Sequence, residues 1–297
     1  MKIRLISGTC YVLLLAAFFC FKIFLPYGDF YFDGLLYAFG LIGTFEMLRA
    51  VKDKTTKAER VAVYAFSGLC IPACVIAKQF YGAGFSALSV VIFALSAALL
   101  SLLVIRHEET SLDSLGLSLL SAVYPTLFLT VMALMNHETA PLSLAQFGLD
   151  SRILILFVFV VSPCSDSIAY VFGCTMGKRF PKKMAPTLSP KKTVVGGIGG
   201  LVGGLLGAAA LYFIYNAAAG SYEQMYIWLP VYLLIGLVAS VATMFGDLVE
   251  SCIKRKLGLK DMGNIMPGHG GALDRLDSAF FSTVAVYLAF AIIILIV

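Results

Sequence analysis

Residues 246–277 read GDLVESCIKRKLGLKDMGNIMPGHGGALDRLD, the most polar stretch of a very apolar chain. It gathers residue types that handle phosphates and hard cations. Asp247, Glu250, Ser251 and Lys254 stand at i, i+3, i+4 and i+7, one stripe if the preceding apolar run continues as a helix. Asp274 and Asp277 are i, i+3 at the entrance to the next apolar run. Folding the loop back would bring Asp247 beside both, and carboxylates so placed repel unless a cation sits between them. Oxygen ligands without a Cys or His cluster suit a hard ion, Mg2+ first, usually shared with substrate phosphates. A second cation is left open. Lys254, Arg255, Lys260 and Arg275 are poised for a polyphosphate. The turn at 267–271 (PGHGG), with His269 in it, could bring backbone amides to phosphate. Plainer roles stay open for each residue. Asp277 could cap the next helix, Arg275 could pair with Asp274 or Asp277, and Glu250 could pair with Lys254. His269 could be a turn residue, and Lys256 a solvated charge.

Two stretches upstream could join this segment. Asp166 lies inside an apolar run, VVSPCSDSIAYVFG, where a carboxylate is costly and usually faces a polar cavity or partner. Asp166, Tyr170, Gly173 and Gly177 share a helical face, so Asp166 and Tyr170 are candidates to line a cavity, and Pro163 should loosen the helix just before them. Residues 177–193, GKRFPKKMAPTLSPKKT, carry too many prolines for one regular helix. Their end offers Ser189, Lys191, Lys192 and Thr193 to phosphate, although Thr193 could instead cap the helix that follows. Residues 196–207, GGIGGLVGGLLG, form two small-residue stripes, the pattern that lets membrane helices approach closely. No strand precedes them, so they are no dinucleotide fingerprint.

These residues must be positioned by membrane helices. The chain has 297 residues, 60% hydrophobic and 13% charged, with a mean hydropathy of +0.92. A soluble domain carries about 25% charged residues. The expected fold is an all-α, polytopic integral membrane protein with about nine transmembrane helices, at 5–25, 31–50, 61–78, 85–105, 115–136, 152–175, 194–216, 226–246 and 278–297. The second span is the weakest, because it holds Asp33 and Glu46. Residues 1–150 hold about five spans; 151–297 form the catalytic region with loops 177–193 and 247–277. Of the 22 Lys and Arg, all but Lys22, Lys78 and Arg152 fall on the side of the N-terminus and of both polar loops, which marks that side as cytoplasmic. The first apolar run has no clear cleavage site and is read as a retained span. The seven cysteines have no CxxC spacing and read as reduced, packed thiols.

The run Ser251-x-Ile253-Lys254-Arg255-x4-Lys260-Asp261-x-Gly263-x3-Pro267-x-His269-Gly270-Gly271-x2-Asp274-Arg275-Leu276-Asp277 resembles the signature of the phosphatidate cytidylyltransferases (CDP-diacylglycerol synthases). Asp166-Ser167-x-Ala169-Tyr170-x2-Gly173 and Ser189-Pro190-Lys191-Lys192-Thr193 resemble two further blocks of that family, in its order. The resemblance covers residues 160–277; the N-terminal half matches only as generic apolar spans. Met266 and Ala272 replace other aliphatic residues, and Val195 stands where many members carry Glu. The resemblance implies that CTP and phosphatidate give CDP-diacylglycerol and pyrophosphate. It also implies an all-helical membrane fold, divalent-metal dependence and a homodimer. The compact chain with short loops reads as bacterial, so the membrane is expected to be the cell membrane, with the site on the cytoplasmic face that the Lys and Arg distribution marks; no nucleic-acid partner is expected. By analogy and spacing, Asp247 and Asp274 bind metal, with Asp277 a third ligand. Lys254, Arg255, Lys260 and Arg275 hold CTP or lipid phosphate, and Ser189, Lys191, Lys192, Ser251 and His269 assist. Competing readings are a CTP-dependent lipid kinase, a cytidylyltransferase for another lipid phosphate, and an ion-coupled transporter using Asp33, Glu46 and Asp166. The transporter predicts inverted repeats, and the sequence has no such symmetry.

Overall fold

The computed structural model describes residues 2–139, 149–219, 225–266, 268 and 270–296. Pro267 and His269 lie outside the described residues. Among the described residues the fold is all-α apart from one small hairpin, and the chain divides into two compact units. Met1–His137 and Leu259–Arg275 form the first; Glu138–Gly258 and Leu276–Val297 form the second.

The first unit holds α1 (Lys2–Phe24), α2 (Gly28–Ala50), α3 (Lys57–Tyr81), α4 (Gly84–Ile105) and α5 (Leu112–Asn136). Local chemistry sets the helix limits. Thr56 and Glu59 make a reciprocal capping box at the start of α3, which stops at Gly82 with φ +64°. Ser111 and Ser114 make the same box on α5, and the Ser114 hydroxyl donates to the buried Glu59 carboxylate at 2.7 Å, tying the two starts together. Inside the unit, the hydroxyls of Thr44, Ser67 and Thr126 bond one another at 2.8–3.1 Å, joining α2, α3 and α5. Such groups find no water in hydrocarbon and must pair within the protein.

The second unit holds α6 (Ser151–Met176), strands β1 (Lys183–Ala185) and β2 (Ser189–Thr193), α7 (Val194–Ala219), α8 (Met225–Lys256) and most of α9 (Leu273–Ile296). α6 widens into a π-helical turn at Phe157–Val161, just ahead of Pro163, where the loosening was expected. The glycine run of α7 is a wedge between two helices. A Cβ on Gly203 would lie 2.5 Å from the Cys164 carbonyl oxygen on α6, and one on Gly204 would lie 2.9 Å from the Gly236 carbonyl oxygen on α8. Gly196 sides with the α6 face, near Ala169 and Gly173.

Among the described residues, eight helices are long and apolar enough to cross a membrane, all of α1–α9 except α2. α2 has 23 residues and carries Asp29, Asp33, Glu46 and Arg49. Each expected span overlaps one of the nine helices.

Candidate active site

In the second unit, three helices bring acids together. Asp166 on α6 accepts a hydrogen bond of 3.1 Å from the Ser278 hydroxyl on α9. The negative charges of Asp247 on α8 and Asp277 on α9 act on Asp166, and Asp247 acts on Asp277. The α7 wedge permits this, because its two glycine faces let α6 and α8 close on it from either side. Gly246 does the same for α9: a Cβ there would lie 2.5 Å from the Asp277 carbonyl oxygen. Phe245 and Phe281 pack edge to face beside it, with ring centroids 5.2 Å apart.

Cations answer these acids. Lys192, from β2, makes an ion pair with Asp247, and its charge also acts on Asp166. The hairpin that carries it is antiparallel, with Lys183 opposite Thr193 and Ala185 opposite Ser189. Thr193 ends the hairpin by capping α7, accepting from the Gly196 amide at 3.1 Å, so its hydroxyl serves the helix start. α8 runs unbroken to Lys256, which makes the expected stripe real. Lys254 donates to the fully buried Glu250 at 2.7 Å, Ser251 donates to Asp247 at 3.4 Å, and Glu250 shares a hydrogen bond with Asp277. Ser189 is half-buried; Lys191 and Arg255 are exposed.

The first unit shows a different use of carboxylates. Asp274, in the first turn of α9, accepts the backbone N–H groups of Met262 and Gly271 on one oxygen, at 2.9 and 2.8 Å. Glu46, on α2 and only 1% exposed, accepts Ala272 N–H on one oxygen and Leu273 N–H on the other, both at 3.0 Å. Met266 and Gly270 close the turn between them. Lys260 and Arg275 of this segment are exposed.

The placement differs from the expectation in several respects. Asp247 and Asp277 do come together, and Asp166 joins them within the second unit. The spacing of Asp274 and Asp277 suggested a shared task; the amides of Met262 and Gly271 take up an oxygen of Asp274 instead. Asp277 is no helix cap, since α9 already starts at Leu273. Of the turn expected at 267–271 to offer amides to phosphate, the Gly271 amide serves Asp274, and the two amides that follow it serve Glu46. Tyr170 is 73% exposed, and its hydroxyl interacts with Cys174 one turn along. His269 lies outside the described residues. Among the described residues, no three His, Cys, Asp or Glu side chains are gathered tightly enough to hold a metal ion. Sequence reasoning noticed Glu46 only as a charge in a weak span and as a step in a transporter's ion path, and gave it no part in holding the polar segment. Its signal was an acid near the end of a span, with only Arg49, one turn on, as a cation beside it.

Comparison with known proteins identifies the family. A cytidylyltransferase family model matches residues 3–293. A phosphatidate cytidylyltransferase of Bacillus subtilis is 33% identical over 296 residues, covering 98% of both chains. Those of Staphylococcus haemolyticus and Staphylococcus aureus are 42% and 44% identical over 132 and 129 residues, less than half of each chain. A match of this extent, over nearly every helix described here, makes the chain a member of the cytidylyltransferase family.

Proposed function

We infer that this chain is a phosphatidate cytidylyltransferase, joining CTP and phosphatidate into CDP-diacylglycerol with release of pyrophosphate. It is a multi-pass membrane enzyme of phospholipid synthesis. Lys192 beside Asp247 carries the site assignment: it puts the Ser-Pro-Lys-Lys-Thr hairpin and the acid cluster in one place. A transporter leaves that meeting of a basic hairpin and three acids without a purpose.

The reaction asks little of a general base. A phosphate monoester has a second pKa of about 6 in comparable phosphoamino acids, so the lipid phosphate is already largely ionised near neutral pH. One of its oxygens attacks the α-phosphorus of CTP; the new P–O bond forms as the bond to the pyrophosphate oxygen breaks. What the protein must supply is alignment of two anions and neutralisation of their charge. Asp166, Asp247 and Asp277 are hard oxygen donors of the kind that hold Mg2+; as placed they do not stand at ligand spacing, and they would take the ion by closing on it as Lys192 leaves Asp247. When bound, the ion shields the phosphates and offsets the charge that develops on the leaving pyrophosphate. Lys192 and Asp247 are partly exposed, at 27% and 29%, so their pair is worth about 0–1 kcal/mol and yields readily to substrate and cation. Lys192, Lys191, Lys254 and Arg255 then face phosphate, with Ser189 and Ser251 as hydroxyl donors. Lys260 and Arg275 are assigned to phosphate by resemblance and exposure. The same reading takes the site as cytoplasmic, the membrane as the bacterial cell membrane and the assembly as a homodimer; light scattering in detergent tests the last.

The purified chain should convert phosphatidate and CTP to CDP-diacylglycerol in the presence of Mg2+, followed by mass spectrometry. Asp247→Asn should lose at least about a hundredfold in turnover, since it removes a charge that acts on both other acids. Folded wild-type protein that makes no CDP-diacylglycerol overturns the assignment.

A further inference from the structure

We propose that Glu46 is a positioning residue for the reaction: it fixes the segment bearing Lys260 and Arg275 and thereby sets the affinity for CTP, an inference that rests on the functional reading given above. Glu46 comes from α2, outside the motif blocks quoted from the sequence, and is separated from its partners by more than two hundred residues. Its two oxygens each take one of two consecutive amides, Ala272 and Leu273. These stand at the start of α9, where helix N–H groups have no partner within the helix and the helix dipole favours negative charge. A carboxylate there fills the place an outside anion would otherwise take. Around it the backbone is pared to glycine. A Cβ on Gly263 or on Gly271 would collide with the Glu46 carboxylate, and all three nearest atoms to the Gly271 position belong to Glu46. One turn back on α2, a Cβ on Gly43 would meet the Leu273 side chain at 2.9 Å. Asp274 completes the clasp by taking Met262 and Gly271. The segment from 262 to 273 is thus held at four amides by two buried carboxylates, and only one of them lies within the segment's own neighbourhood in sequence.

The test compares Glu46→Gln, Glu46→Ala, Gly271→Ala and the double variant Glu46→Ala/Gly271→Ala in full-length detergent-purified protein. Two readouts are taken: amide hydrogen exchange by mass spectrometry, and kcat and KM for CTP. In Glu46→Gln, exchange across 271–273 should speed up by about tenfold or more while α5 keeps its wild-type rates, as loss of bonds to a charged acceptor implies. The KM for CTP should rise about tenfold or more, with kcat falling less. Loss of folded enzyme alone would lower apparent kcat and leave KM where it was. Gly271→Ala should reproduce this, because its methyl group displaces Glu46. In the double variant the second change should add less than about twofold, since the colliding group is gone. A KM within about twofold of wild type in folded Glu46→Gln or Gly271→Ala, or full additivity in the double variant, overturns the proposal. Should exchange respond as expected while the wild type makes no CDP-diacylglycerol, the functional reading falls and the anchoring role of Glu46 stands.

Discussion

Asp274 and Asp277 are one helical turn apart on α9 and do different work. Asp277 lies with Asp166 and Asp247, whereas Asp274 holds backbone amides of its own loop. Metal dependence separates these roles. Asp166→Asn and Asp277→Asn each remove a hard donor, so the Mg2+ concentration for half-maximal rate should rise by at least about tenfold. Asp274→Asn should lower turnover with an unshifted Mg2+ curve, because its effect comes through the fold of the loop. A shifted curve for Asp274→Asn alone would restore Asp274 as the ligand. Spacing in a sequence shows which side chains share a helix face; it does not show which backbone N–H groups come looking for an acceptor. That is why the acids Asp166, Asp247 and Asp277 could be picked out from the sequence, and why the amides that Asp274 accepts could not. Glu46 was hidden for a further reason. Its partners are amides, which carry no residue identity, and they lie far along the chain.

At the scale of elements, α7 does for α6 and α8 what a spacer of ordinary residues could not. Its glycine stripes were readable as a packing surface from their period of four, and the structure adds which helix each glycine meets. Gly203→Leu and Gly204→Leu would push α7 off α6 and α8 respectively, and overpacking of this kind costs about 1–3 kcal/mol, sometimes more. Both should lower the melting temperature by several degrees, and both should cut turnover, because α6 carries Asp166 and α8 carries Asp247. Gly116→Ala on α5 is the control: a Cβ there meets nothing within 4 Å, so its melting temperature should hold or rise slightly. Equal, small effects at all three positions, read by thermal unfolding in detergent, would mean that the close approach is dispensable. The basic hairpin was less legible. Its prolines ruled out a continuous helix, but pairing of Lys183 with Thr193 depends on a register that a short polar stretch does not announce.

At the scale of the whole molecule, α2 decides the topology. With eight crossings the two polar loops still share a side, but the N-terminus falls on the other; with nine, Lys2 and Arg4 join the cations of those loops. By composition α2 looks too charged to cross. Its acids, however, sit at its ends. Asp29 and Asp33 near the start meet Lys22, Asn136 and His137, with Asn136 donating to Asp33 at 2.9 Å and Lys22 paired with Asp29. Glu46 near the finish meets the amides of residues 272 and 273. Between them the helix reads GLLYAFGLIGTF, without a charge. Its 23 residues span about 35 Å, enough for a hydrocarbon core of about 30 Å. A helix whose acids are all met by its own unit, at two opposite ends, is built to cross. An N-terminal epitope tag should therefore be protected from protease in intact spheroplasts and digested in inverted vesicles, together with the 177–193 hairpin. Digestion of the tag in intact spheroplasts, with the hairpin still protected, would show that α2 does not cross and that the buried acids at its two ends serve one face of the membrane.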